Sequence, residues 1–254
     1  MARPHFDDPA GGAAPTPFPT PYSWWKMNET SGTVATDTQG HNPGAYSGSY
    51  TLGQPSIIPG STDKCPLFVP NGYMLANDVD WSYPGEYTFL IALKANIAGG
   101  SEQGVFGLSH QLTPYETEMS GLVGSSGLYP FGGGTDLITP TGIVQLGGQT
   151  GTTVMDGNAH LVAVGMSPSQ RGMFVYQDNV ALVIIPQQYA LYCNDQLQPA
   201  CGFATQGLAG AQLGQYYRWN GWLQSFTAFH TCLTPAQFAT AYTAFSTPGA
   251  WPPW

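Results

Sequence analysis

The sequence predicts an all-β protein built as a two-sheet sandwich with one short helix near its end. Three observations lead there. Charged residues make up only 8% of the chain, against about 25% in an average soluble domain. Thirty-three glycines and 22 prolines punctuate it, which suits short strands and many turns and works against long helices. Aromatic residues reach 13%, enough bulk for a core between two sheets. With 254 residues, the chain fits a single all-β unit, since such sandwiches run to roughly 250 residues.

In chain order, residues 1–21 stand apart. Prolines 4, 9, 15, 17, 19 and 21 give them a polyproline II bias, an extended form with no internal hydrogen bonds. Such a segment builds no core. Its alternatives are a loose tail or a docking arm, and the docking reading rests on Pro15, Pro17, Phe18, Pro19 and Pro21. Residues 22–246 read as the sandwich. Tyr87 to Lys94 alternates Tyr87, Phe89, Ile91 and Leu93 on one face. His160 to Met166 alternates in the same way, with Val162 and Val164 between. Met173 to Val183 reads as strand, turn, strand, with Asp178 and Asn179 in the turn because both tolerate positive φ. Trp222 to Phe229 is a further alternating strand. Thr234, Pro235 and Gln237 then form a capping box with proline at the first helical position. Phe238, Ala241, Tyr242 and Phe245 follow at helical spacing, and Gly249 with Pro252 and Pro253 ends the helix. Residues 247–254 form an aromatic, proline-rich tail.

Charge and hydropathy exclude several function classes. The net charge is −9, with six Lys and Arg in all. Binding nucleic acid requires clustered cations that displace counterions, so nucleic acid is not an expected partner, and an anionic membrane surface is disfavoured likewise. No apolar run approaches the ~20 residues that span a bilayer, and Val180 to Ile185 is only strand-length. The residues after Met1 lack the apolar stretch of a secretory signal.

At this point an ordered set of motifs resembles a known family. Tyr22 to Gly32, then Asp37, Gly40 and Gly44 to Tyr46, is similar to the opening of laminin G-like domains, which have the concanavalin A-like jelly-roll fold. Phe68 with Asn71, Gly72 and Tyr73 resembles the family's strand before an exposed loop. Asp156, Gly157 and His160 match its Asp-Gly-x-x-His strand, with Phe174 to Asn179 as the next hairpin. Asn220 to Phe229 and Leu233 to Pro235 match the closing strand and final helix. One departure stands out: Gln224 and Ser225 occupy positions where the family usually carries an Asp-Glu pair. A proline-rich arm ahead of such a fold also resembles minor tail proteins in the virions of actinobacterial phages. That resemblance implies a structural virion protein, made in the host cytoplasm, oligomeric in the particle, and joined to other virion proteins through its arm. It implies a host cell-surface glycan as a further partner. A capsid decoration protein is the alternative.

The chemistry-bearing residues divide by type. Trp81, Tyr83, Tyr216, Tyr217 and Trp219 are candidates for stacking on sugar rings. Their alternatives are core filling or a protein interface. Asp78 and Asp80 are the loop acids that would suit calcium, and turn capping is their ordinary role. No other cofactor is expected. Cys193 and Cys201 bracket a short polar loop that a disulfide would close, the alternative being free thiols with Cys65 and Cys232. Glu116 and Glu118 lie two apart, but glycan hydrolases of this fold place a third acid at set spacing, and Ser120 and Gly121 stand there. No serine sits in a Gly-x-Ser-x-Gly elbow. The expectation is a non-enzymatic protein, with a glycan hydrolase as the second alternative.

Overall fold

The computed structural model describes residues 17–70, 72–76, 86–96, 103–110, 117–124, 127–133, 144–145, 153–167, 172–178, 180–186, 197–201 and 219–254. For several strands, among them β9 to β11 and β15 as numbered below, it describes the backbone alone. The strands in chain order are β1 (Ser23–Trp25), β2 (Val34–Ala35), β3 (Gly44–Ser47), β4 (Tyr50–Pro55), β5 (Lys64–Phe68), β6 (Tyr73–Ala76), β7 (Tyr87–Ala95) and β8 (Gln103–His110). They continue as β9 (Thr117–Gly124), β10 (Gly127–Gly133), β11 (Val144–Gln145), β12 (Ala159–Ser167), β13 (Gly172–Gln177), β14 (Val180–Pro186), β15 (Leu197–Cys201) and β16 (Gly221–Phe229). Helix α1 (Pro235–Ser246) follows.

Two antiparallel sheets result. The first runs β14-β13-β12-β7-β16-β5-β4, with β1 also pairing β16, and the second runs β11-β10-β9-β8-β15-β6-β3-β2. Each of the strands expected from alternation is present. The Asp178 turn joins β13 to β14, with Asp178 at φ 52°.

The main core lies between the sheets. Tyr87, Phe89, Ile91 and Leu93 of β7 meet Val162 and Val164 of β12 there, together with Leu223 and Phe226 of β16. The second sheet contributes Tyr46, Met74, Ala76 and Val105. The interleaved residues of β7 are buried too. Leu90 and Ala92 join Leu161, Ala163, Tyr176 and Phe229 in a second core on the sheet's outer face, closed by Phe238, Ala241 and Phe245 of α1. The one-faced reading of β7 is therefore incomplete: this central strand is buried on both faces because the helix covers its back. Tyr176 stacks on Phe238 with centroids 4.6 Å apart, and its hydroxyl donates to the Leu233 carbonyl at 2.7 Å. The capping box forms as the sequence indicates, with Thr234 Oγ1 accepting from Gln237 N and the Gln237 side chain reaching back to Thr234 N.

Both terminal segments reach this second core. Phe18 lies edge-on to Phe229 at 5.8 Å and stacks on Trp254 at 5.7 Å. Trp251 and Trp254 pack against the same cluster. The described end of the arm, residues 17–21, thus rests on the sandwich of its own chain, helped by a 3.4 Å hydrogen bond from Gln237 Nε2 to the Pro17 carbonyl.

Candidate functional site

Of the rings expected to stack on sugars, Trp81, Tyr83, Tyr216 and Tyr217 lie outside the described residues. So do Asp78, Asp80, Cys193, Glu116 and Pro15, and the side chains of Cys201 and Glu118. Trp219 is described, and its placement corrects the expectation. It is fully buried in the core between the sheets, so its ring offers no face to a sugar. Bulk decides this: the indole fills space beneath Gly221, where even a Cβ would press on it.

Strand pairing places the starts of β7 and of β16 at opposite ends of the first sheet. Tyr87, which follows the 77–85 connection, pairs with Met166 at one end of the first sheet. Gly221, which follows the 202–218 connection, pairs with Ala95 at the other end. The nine residues of β7 lie between, a distance of roughly 30 Å at about 3.3 Å per residue.

Another tryptophan, not singled out from the sequence, is partly exposed on the outer face of the first sheet. Trp222 of β16 stands opposite Lys94 of β7 on one side and Leu67 of β5 on the other. Ala159 of β12 pairs with Lys94 and completes the row. All four are partly exposed. Lys94 Nζ lies over the Trp222 ring, 5.6 Å from its centroid. At the adjoining strand ends, Asn96 is exposed and its amide donates to Asn220 Oδ1 at 3.4 Å. A flat ring, two amides and an ammonium share this corner. The signal was available in the sequence: Trp222 and Gln224 alternate with the buried Leu223, so Trp222 belongs to the outer face.

The next row shows what replaces the family's acidic pair. Gln224 Oε1 accepts from Ile57 N and from Ser56 Oγ, both at 3.0 Å. Ser225, at φ 57° in a bulge, accepts at its Oγ from Trp24 Nε1 at 2.9 Å and Trp251 Nε1 at 3.0 Å. These neutral side chains tie together a loop, the first strand and the tail. They do not fit a calcium ion, which takes six to eight oxygen ligands, typically with carboxylates among them. Among the described residues no group of three His, Cys, Asp or Glu side chains could hold a metal ion.

The described carboxylates are all engaged by the fold. Asp37 accepts from the backbone N–H groups of Trp24, Gln39, His41 and Asn42. Glu29 accepts from Thr36 N and the Tyr46 hydroxyl. Asp63 accepts from Asn28, and Glu86 from Ser167. Asp156 and Asp178 grip His160, whose Nε2 lies 2.9 Å from Asp156 Oδ1 and whose Nδ1 lies 2.7 Å from Asp178 Oδ2. Burial disfavours the charged ring, but the hydrogen bonds to Asp178 and then Asp156 outweigh it and raise the His160 pKa. Desolvation pushes the Asp156 carboxyl up, yet the hydrogen bonds from His160 and Asn158 prevail and lower it to about 2. His160 is thus a structural clamp, as its place in the Asp-Gly-x-x-His strand suggests. Cys65 and Cys232 are free thiols, and desolvation pushes each up to about 12. A thiol held protonated to that degree is a poor nucleophile.

Two stacked antiparallel sheets, with a helix on the outer face of the first, define an all-β sandwich. Solved structures share it. Domain 4 of an extracellular arabinanase from Geobacillus stearothermophilus, solved with arabinotriose, matches with TM-score 0.59 and 13% identity, over 85% of this chain and 95% of that one. Botulinum neurotoxin type C, described with two ganglioside molecules, matches with TM-score 0.59 and 13% identity, over 89% of this chain and 51% of that one. A Trypanosoma rangeli sialidase bound to an inhibitor matches with TM-score 0.58 and 11% identity, over 91% of this chain and 34% of that one. No family model and no curated protein matches the sequence. At these identities the likeness establishes the fold.

Proposed function

We propose that this chain is a non-catalytic, glycan-binding sandwich, held in a virion by its proline-rich arm in the manner of a minor tail protein. The observation that carries the non-catalytic part is the state of the described carboxylates. Glycosidic hydrolysis needs one acid free to protonate the leaving oxygen and a second free to attack or activate water. Glu29, Asp37, Asp63, Glu86, Asp156 and Asp178 each accept hydrogen bonds that hold the fold instead. Glycan binding is supported by the shared sandwich, since the arabinanase domain was solved with arabinotriose and the neurotoxin is described with gangliosides. Fold alone does not confer that activity, so the partly exposed Trp222 corner adds weight from this chain itself.

The virion part rests on the arm and on the poverty of charge. Phe18 fixes the root of the arm beside Phe229 and Trp254, so residues ahead of it leave from one defined place. A glycan array probed with the whole chain tests the binding, and release of reducing sugar from any bound glycan tests the absence of catalysis. Binding without release is expected; release would restore the hydrolase alternative. Deleting residues 1–21 is expected to abolish incorporation into particles, and undiminished incorporation would refute the tether. Gold labelling of intact particles separates a tail position from capsid decoration.

A further inference from the structure

We propose that the outer face of the first sheet carries a subsite for an acidic sugar, centred on Trp222 and Lys94. The proposal rests on the glycan-binding reading and specifies the sugar class and the place. Trp222 lies at the centre of a row whose other members, Ala159, Lys94 and Leu67, rise from three neighbouring strands. Ala159 is small and Leu67 apolar, so Lys94 is the one charged member of the row. The rows beyond it are closed by Gln224 with Ile57, and then by α1, so among the described residues this row is where the outer face is partly exposed.

The chemistry of the corner selects its ligand. An indole face receives the C–H face of a pyranose by dispersion. The side chains of Asn96 and Asn220 offer amide donors and acceptors for hydroxyl groups. Lys94 supplies the discriminating charge. This chain carries 15 acidic residues and six basic ones, yet among the described residues Lys94 has no carboxylate partner. Its ammonium is held instead over the ring, a weak attraction at a partly exposed site. Such a cation retains donors for a carboxylate that binds beside the ring. A single cation suits one carboxylate, and the net charge of −9 repels polyanionic chains. The class is therefore a glycan presenting one uronic or similarly acidic residue.

The test uses the whole chain and two probes, methyl β-glucuronide and methyl β-glucoside, followed by NMR titration. The glucuronide is expected to bind more tightly and to shift the amide resonances of Trp222, Lys94 and Asn96. Lys94→Met should weaken the glucuronide about tenfold more than it changes the glucoside, the loss of one charge-assisted hydrogen bond. Trp222→Ala should abolish both. Trp222→Phe, which keeps a ring, should retain the preference for the acid, and melting curves check that each variant folds. Equal binding of the two probes, or a glucuronide affinity indifferent to Lys94→Met, overturns the proposal. Array-positive glycans whose binding ignores both positions would overturn the subsite and leave the glycan reading standing. Failure to bind any glycan would overturn both.

Discussion

His160 provides the sharpest test of how this fold is held. Its imidazole joins Asp156, in the loop before β12, to Asp178, in the turn after β13. Asp178 also accepts from Leu161 N at 3.0 Å and donates its own N–H to the Leu161 carbonyl at 2.8 Å. The clamp therefore fixes the β13–β14 turn against β12. Hydrogen bonds involving a charged group contribute about 1.5–3 kcal/mol each. The Asp156 side chain is 35% exposed and that of Asp178 24%, so solvent screening places the bonds at the low end of that range. In His160→Gln a neutral amide can still donate to one carboxylate. The expected cost near pH 5.5 is then about 2 kcal/mol, or roughly 4–8 °C in Tm for a chain of this size.

The pH dependence has a defined sign. The folded pKa of His160 is raised above 6.5, so its contribution is complete below 6.5 and is lost as pH rises through the raised value. The folded pKa of Asp156 is lowered from 3.8 to about 2, so its contribution is complete above 3.8 and is lost as pH falls toward 2. The clamp is strongest between those limits. Thermal melts of the wild type and of His160→Gln across pH 4–10 should show the largest gap between about pH 4 and 6.5, and a gap that shrinks as pH rises through the raised His160 value. A gap that is absent, or that does not change with pH, would refute the reasoning.

Three further outcomes follow from other contacts. Gly72→Ala would drive a Cβ into the Ser49 carbonyl, a backbone collision that should lower stability by about 3 kcal/mol in denaturant titration. Thr234→Ala removes the cap of α1 and should cost about 1 kcal/mol by the same measurement. Phe18→Ala removes the ring between Phe229 and Trp254. It should cost about 1–2 kcal/mol, and limited proteolysis should then cleave near residues 17–21 several times faster while the sandwich core stays intact.

Legibility in the sequence varied with the kind of interaction. The strands around Tyr87, His160, Met173 and Trp222 were readable because period-two alternation is imposed locally by the pleat. The helix was readable because Thr234, Pro235 and Gln237 act within one turn. The second core was not, although Leu90, Ala92, Leu161 and Ala163 interleave with the first. Alternation records one buried face, and the cover for the other comes from residues 235–254, far along the chain. Gln224 and Ser225 read as a mere departure from the family. Their work is long-range: Ser225 serves Trp24, 201 positions away in sequence. Trp219 read as a candidate sugar platform because nothing local marks a ring that points into the core.

The pairing of strands also imposes a polarity on any binding role. Tyr22 N donates to the Ala228 carbonyl, and Ser23 pairs with Ala228, so β1 begins at the end of the sheet where β16 finishes. Phe18 packs on Phe229 at that same end. Trp222 and Lys94 lie toward the opposite end, where β16 starts and β7 finishes. The arm root and the Trp222 corner are thus separated along β16 by most of its length, roughly 20 Å at about 3.3 Å per residue. A partner gripping the arm would leave the Trp222 corner free, which is the arrangement a tethered glycan binder requires.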